Sequence, residues 1–310
     1  MIPFLMLLAL TLAQPVAPAH WCYESQSKVI SCTAPSQWPG SCQGQQQSPI
    51  DIDTDKTIRN SSLKPFSFTN YDWRELWSLK NNGHSVEVKL NDKIKISGGG
   101  LKETYKAVSF HLHWSNSLDE GSEHTINGRS YAMEMHIVHI KNKYGDLSEA
   151  LRGNSNDEIA VLGFLIKPSL QNHSGFMSLV EGLSRVPYQI YDTSLEKFSL
   201  FDLIPKVNLL KNYYRYWGSL TTPDCQEKVI WTLFHEPIHL HQNQIFEFSR
   251  KLYYNMEDEK PSMAIIDNFR KTQPIGNREV FTSGVGILLS QAWPVLLAPL
   301  LTYLLPVFLY

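Results

Sequence analysis

Two histidines separated by one residue, His111 and His113, stand in an apolar, β-prone run, and a third, His136, stands in a second such run. A strand has a side-chain period of two, so this spacing constrains which face each imidazole takes. Ser109, His111 and His113 share one side of Ala107–Trp114, and Glu134, His136 and Val138 share one side of Met133–Val138. If the two strands pair, three imidazoles converge on one point. Three neutral nitrogens leave the fourth position of a tetrahedral zinc open, as catalysis requires. An H-x-H pair alone equally fits two half-buried histidines bonded to backbone. The third histidine and Glu134 shift the balance, because an apolar strand has little other reason to hold a carboxylate. A ligating histidine commonly donates its second N–H to such a group.

A competing pattern occurs further on. His235-Glu236-Pro237-Ile238-His239 matches H-E-x-x-H, which binds zinc only on a helix, where positions i and i+4 share a face. Here it follows the strand-like Val229–Phe234, and Pro237 would break a helix interior. The expectation is a strand end and a turn.

Both ends of the 310-residue chain are uncharged and apolar. Residues 1–19 read as a secretory leader ending at Ala17-Pro18-Ala19, with a mature chain starting near His20. Gly286–Tyr310 is long enough to span a bilayer, but no basic residue follows it. With Ser283-Gly284 before it, the segment 284–310 reads as a cleaved glycosylphosphatidylinositol-attachment signal with Ser283 as attachment site; a retained transmembrane helix is the alternative. Four cysteines suit an oxidising compartment. Three pairings are open; Cys22 with Cys32 and Cys42 with Cys225 is the expected one, and the sequence does not decide it. Asn60-Ser61-Ser62 and Asn172-His173-Ser174 are glycosylation sequons. Net charge is −2, so there is no basic footprint for nucleic acid.

Between the ends, residues 20–283 read as a large-core unit. Short β-like runs recur at Phe66–Phe68, Leu76–Leu79, Ser85–Leu90, Lys93–Ile96, the two histidine runs, Ile159–Ile166 and Val229–Phe234. Helical patterns are confined to Phe176–Leu183 and Asn243–Leu252. The fold class is α+β, predominantly β: a large, mostly antiparallel sheet with short surrounding helices. Ile159–Ile166 is apolar at every position and should lie centrally.

Phe110-His111-Leu112-His113-Trp114, Gly121-Ser122-Glu123-His124, Glu134-Met135-His136-Ile137-Val138-His139 and Gly218-Ser219-Leu220-Thr221-Thr222-Pro223 resemble the alpha-class carbonic anhydrases in order and separation. Gln47-Ser48-Pro49-Ile50 and Asn81-Asn82-Gly83-His84 also match, so the resemblance covers nearly all of residues 20–280. It implies one domain around a twisted central sheet, with Zn2+ on His111, His113 and His136. It implies reversible hydration of carbon dioxide to bicarbonate and a proton by hydroxide on the zinc; these enzymes are the reference case for a zinc water with a pKa near 7. Thr221 would accept from the nucleophile and donate to Glu123. Val138, Val161, Leu220, Thr222, Val229 and Trp231, with Thr221, would form the substrate wall. His84 would carry the proton out, since an imidazole titrates near neutral pH, with Tyr23 and Asn82 organising water. Glu134 would orient His136, His124 and Tyr216 would extend that network, and the Asn268 carbonyl would hold His113. Ser109 stands where many members carry Gln, so somewhat weaker zinc binding is expected.

Trp21-Cys22-Tyr23, Ser97-Gly98-Gly99-Gly100-Leu101 and the apolar tail resemble the membrane-anchored members. They imply a monomeric glycoprotein on the extracellular face of the plasma membrane, with bicarbonate transporters as partners. Two rival readings are a non-catalytic relative, although no zinc histidine is missing, and a hydrolase using His235, Glu236 and His239.

Overall fold

A computed structural model describes residues 20–283. The expected leader (1–19) and tail (284–310) lie outside the described residues. Among the described residues, no helix is long and apolar enough to cross a membrane.

Among the described residues the chain builds a 13-stranded sheet whose middle runs, in spatial order, Val86–Lys89, Tyr105–Trp114, Met133–Lys141, Ile159–Ser169, Val229–Phe234 and Tyr213–Gly218. Ile159–Ser169 is central, with every residue from Ile159 to Ile166 buried. It runs antiparallel to Met133–Lys141 but parallel to Val229–Phe234 and Ile238–His241, so the sheet is mixed. Short helices surround it, among them Leu147–Arg152, Met177–Gly182 and Gln242–Lys251. The last is capped where the Asn243 N–H donates to His241 Nδ1 (3.1 Å), buries Ile245 and Phe248, and ends in Arg250 and Lys251, which complement the helix dipole.

The two sheet faces are covered by separate apolar clusters. Phe110, Leu112, Trp114, Met135, Ile137, Leu162 and Phe164 belong to the larger one. Val138, Val161, Val229, Trp231 and Leu233 belong to the smaller one, on the opposite face. A β-bulge divides the first histidine strand. Ala107 pairs with His139 and Ser109 with Val138, leaving Val108 extra. Tyr105 and Ala107 therefore face the larger core, while Ser109, His111 and His113, of the same parity, face the other side.

Several boundaries differ from the sequence expectation. The strand expected at Leu76–Leu79 spans Ser78–Asn81, leaving Leu76 65% exposed while Leu79 is buried. The one expected at Lys93–Ile96 spans Lys95–Gly98, because Asn91 holds Lys93 in a turn, its Oδ1 accepting the Lys93 N–H (3.0 Å). Tyr213–Gly218 and Ile238–His241 form strands that the composition did not signal. His235 and His239 flank a strand break at Pro237, so H-E-x-x-H has no helix to work on. Both disulfides form in the expected pairing, Cys22–Cys32 and Cys42–Cys225.

His139 points into the larger core. Tyr71 Oη lies 2.8 Å from its Nε2, and its Nδ1 faces the Ile137 carbonyl (3.1 Å). Burial pushes the His139 imidazole down to about 4, against about 6.5 in an unfolded chain. Between these values the unfolded state binds the extra proton. The contribution of His139 to stability is thus complete above pH 6.5 and is lost as pH falls towards 4. Urea unfolding of His139→Gln is expected to show a shallower loss of stability across that window than the parent; parallel profiles would contradict this.

Candidate metal centre

Strand pairing builds the site in rows across the sheet. His111 lies opposite His136, and His113 opposite Glu134. The next row joins Ser109, Val138, Val161, Trp231 and Tyr216 on successive strands. Gly163 lies opposite His136. A Cβ there would meet Leu233 Cδ1 at 2.8 Å and Glu134 Oε1 at 3.3 Å, so glycine leaves room for the carboxylate.

The three imidazoles His111, His113 and His136 each offer a ring nitrogen within 4.8 Å of the others. His113 and His136 are 1% exposed and His111 is half-buried. Burial and the neighbouring rings push His111 and His113 down to about 3, and burial pushes His136 down to about 4. All three are neutral at physiological pH, the state a metal ligand requires.

Hydrogen bonding assigns two of the tautomers. His113 Nδ1–H donates to the Asn268 carbonyl (2.7 Å), and His136 Nε2–H donates to Glu134 Oε1 (2.7 Å). His113 Nε2 and His136 Nδ1 are then bare, and they face each other at 3.1 Å. Two lone pairs cannot bond each other, and a cation between them satisfies both. The donor set therefore fits a metal ion.

Glu134 is the hub behind this pair. Its Oε1 accepts from His136 and from His124 Nδ1 (2.7 Å), and its Oε2 accepts the N–H groups of Glu123 (2.9 Å) and His124 (2.8 Å). Burial alone would raise its pKa, but His124 and His136 hold the carboxyl well below its ordinary value. His124, Glu134 and His136 also cluster within 4.8 Å. Their imidazole N–H groups point at the carboxylate, so they form a hydrogen-bonded support for the centre. His124 Nε2, bare in this tautomer, accepts from Tyr216 Oη (2.6 Å), and Ser48 Oγ lies 2.9 Å from the same phenol oxygen. The Trp231 ring packs edge-on to His136 at 4.8 Å.

Glu123 is buried, and burial pushes its carboxyl well above the ordinary value, opposed by the Arg270 N–H and the Thr221 hydroxyl. Oε1 accepts the Arg270 N–H (2.8 Å). Oε2 lies 3.5 Å from His113 Nε2 and, among the described residues, has no fully formed hydrogen bond. Val138, Val161, Val229 and Trp231, with Leu220 against them, make one apolar cluster on the same sheet face. Thr221 is buried and Thr222 half-buried in the loop after Gly218.

His84 departs from expectation. Its ring stacks on Trp21 with centroids 3.6 Å apart and on His20 at 5.2 Å. Burial and His20 push it down to about 4, away from the neutral range. Asn82 Oδ1 accepts the N–H groups of His84 (2.9 Å) and Ser85 (2.8 Å), so it shapes the turn. Tyr23 is buried near Glu123, whose charge adds to burial in raising its pKa. Asn60 is half-buried in a turn and Asn172 is exposed. Ser283, the last described residue, donates from its Oγ to the Lys211 carbonyl (2.9 Å). Arg270 and Ser219 were not foreseen as contributors. Ser219 lay inside a matched motif, whereas no motif marked Arg270.

A family model for the eukaryotic-type carbonic anhydrases matches residues 33–284. The chain belongs to that family and is a carbonic anhydrase, a lyase that hydrates carbon dioxide. It is 47% identical to carbonic anhydrase 4 of Rattus norvegicus, over 98% of this chain and 99% of that one. It is 48% identical to carbonic anhydrase 4 of Oryctolagus cuniculus, over 95% of each, and 36% identical to carbonic anhydrase 12 of Homo sapiens, over 90% of this chain and 78% of the relative.

Glu134→Gln replaces an acceptor shared by two imidazoles with a group that is partly a donor. Zinc affinity, measured by competition with a chelator, is expected to fall about 10- to 100-fold. Unchanged affinity would contradict the role of Glu134 as the hub.

Proposed function

We propose that the chain holds zinc on His111, His113 Nε2 and His136 Nδ1, and uses it to hydrate carbon dioxide reversibly on the extracellular face of the plasma membrane. The observation that carries this reading is the pair of bare nitrogens facing each other at 3.1 Å, each fixed by a hydrogen bond from its other nitrogen. When bound, zinc supplies Lewis acidity that brings the pKa of a water to about 7, an effect for which carbonic anhydrases are themselves the reference case.

The protein does the rest. Thr221 has one hydroxyl proton. If Glu123 accepts it, the Thr221 oxygen offers only lone pairs to the nucleophile and fixes its direction. Val138, Val161, Leu220, Val229 and Trp231 give the apolar substrate a dry surface beside the centre, with Thr221 and Thr222 at its polar edge. Ser109, on the same sheet face two residues before His111, is too short to take over the role of a longer amide, so zinc is held less firmly. His84 carries the proton away. Stacked on Trp21 it is a weak base, so this role calls for the ring to leave the stack. Tyr23 and Asn82 line the route.

Removing zinc with a chelator, or replacing His136 with Gln, is expected to abolish hydration; zinc should restore the stripped parent but not the variant. His84→Ala should slow turnover in weak buffer, with rescue by imidazole. Full activity of zinc-free His136→Gln would defeat the reading.

The surface location rests on the apolar leader and tail and on two disulfides, which suit an oxidising compartment. We place the lipid at Ser283 and glycans at Asn60 and Asn172. A phosphatidylinositol-specific phospholipase is expected to release the activity from intact cells; retention would favour a transmembrane tail.

A further inference from the structure

The stretch Asp267–Arg270 has no regular secondary structure, yet the centre leans on it at three points. The Asn268 carbonyl accepts from His113, the Asn268 Nδ2 donates to the His84 carbonyl (2.9 Å), and the Arg270 N–H donates to Glu123 Oε1 (2.8 Å). The start of the stretch is held on the first histidine strand: the Asn268 N–H donates to the Trp114 carbonyl (3.3 Å), Asn268 Oδ1 accepts the Trp114 N–H (2.7 Å), and Asp267 Oδ1 accepts from Ser115 Oγ (2.6 Å).

Arg270 holds the end of the stretch, next to the Glu123 contact. Its Nη1 donates to Gln47 Oε1 (2.8 Å) and the Ser48 carbonyl (2.9 Å), its Nη2 donates to the Cys42 carbonyl (3.1 Å), and its guanidinium lies over the Trp38 ring at 5.4 Å. These anchors lie in residues 38–48, which also grip the Thr221 loop. The Ser48 N–H donates to Ser219 Oγ (2.9 Å), the Ser219 N–H donates to Ser48 Oγ (3.0 Å), and Gln47 Nε2 donates to the Cys225 carbonyl (3.2 Å).

Arg270 is 2% exposed, its hydrogen bonds end on neutral acceptors, and its Nε is buried with no acceptor among the described residues. Burying a cation this way is costly. Filling the space needs no charge, since a methionine packs irregular gaps. A planar fork that clamps three acceptors at fixed angles is what neither methionine nor lysine offers.

We propose that Arg270 is a positioning residue for the hydration step: it locks the segment bearing the Glu123 contact to the loop that presents Thr221, and so sets the spacing of the Glu123–Thr221 pair. This rests on the zinc hydration reading above.

Kinetics of the zinc-loaded protein test it. The ratio kcat/KM covers the steps up to bicarbonate release, while proton export afterwards enters kcat alone. Arg270→Met and Arg270→Lys are expected to keep zinc and lose about tenfold or more in kcat/KM, with little change in kcat at low buffer. Combined with Thr221→Ala, Arg270→Met should cost no more than about a further twofold, because both act on one pair. A kcat/KM within twofold of the parent, losses that multiply in the double variant, or loss matched by missing zinc would each overturn the proposal. If Arg270→Met does not fold, Gln47→Met removes one anchor and is judged the same way. A fall of about threefold that disappears in the Thr221→Ala background supports the proposal, and any other result overturns it. A His136→Gln control that kept zinc and activity would defeat the zinc reading instead, a result separate from the Arg270 split.

Discussion

Two unprotonated imidazole nitrogens held 3.1 Å apart and buried repel each other, and much of the surrounding structure keeps them there. Glu134 fixes one ring and the Asn268 carbonyl fixes the other. Glu134 is fixed in turn by two backbone N–H groups and by His124, and Gly163 clears the space it occupies. A cation between them satisfies both lone pairs, so the hydrogen bonds behind the two rings hold a ligand set that fits a metal ion. The depressed basicity of all three histidines acts in the same direction, because protons compete poorly for the site.

The sheet also sorts chemistry by row. His111 and His136 form one row, His113 and Glu134 the next, and on the far side Val138, Val161 and Trp231 form a third. Polar support and apolar surface therefore flank the His111–His136 row on its two sides. In the proposed reading the apolar row is the surface for carbon dioxide, and strand register sets it next to the His111–His136 row.

Much of this was legible in the sequence because period two is a strong signal. The shared face of His111 and His113, the place of Glu134 beside His136, and the buried central strand at Ile159 could all be read from alternation and apolarity. The bulge at Val108 could not, since nothing local marks it, yet it decides that Ala107 and His111 face opposite sides. His84 reads as a proton carrier from its place in a matched motif. Its stack on Trp21 comes from a residue 63 positions away, which local pattern cannot reveal. Arg270 was invisible for the same reason: its partners at Cys42, Gln47, Ser48 and Glu123 are brought together only by the fold.

The most direct test of three imidazoles converging on one metal is X-ray absorption at the zinc edge of the purified, zinc-loaded protein. The expected spectrum shows three nitrogen scatterers with imidazole signatures at about 2.0–2.1 Å and one further light-atom ligand. Coordination by sulfur, by a carboxylate in place of an imidazole, or by fewer than three imidazoles would contradict the site.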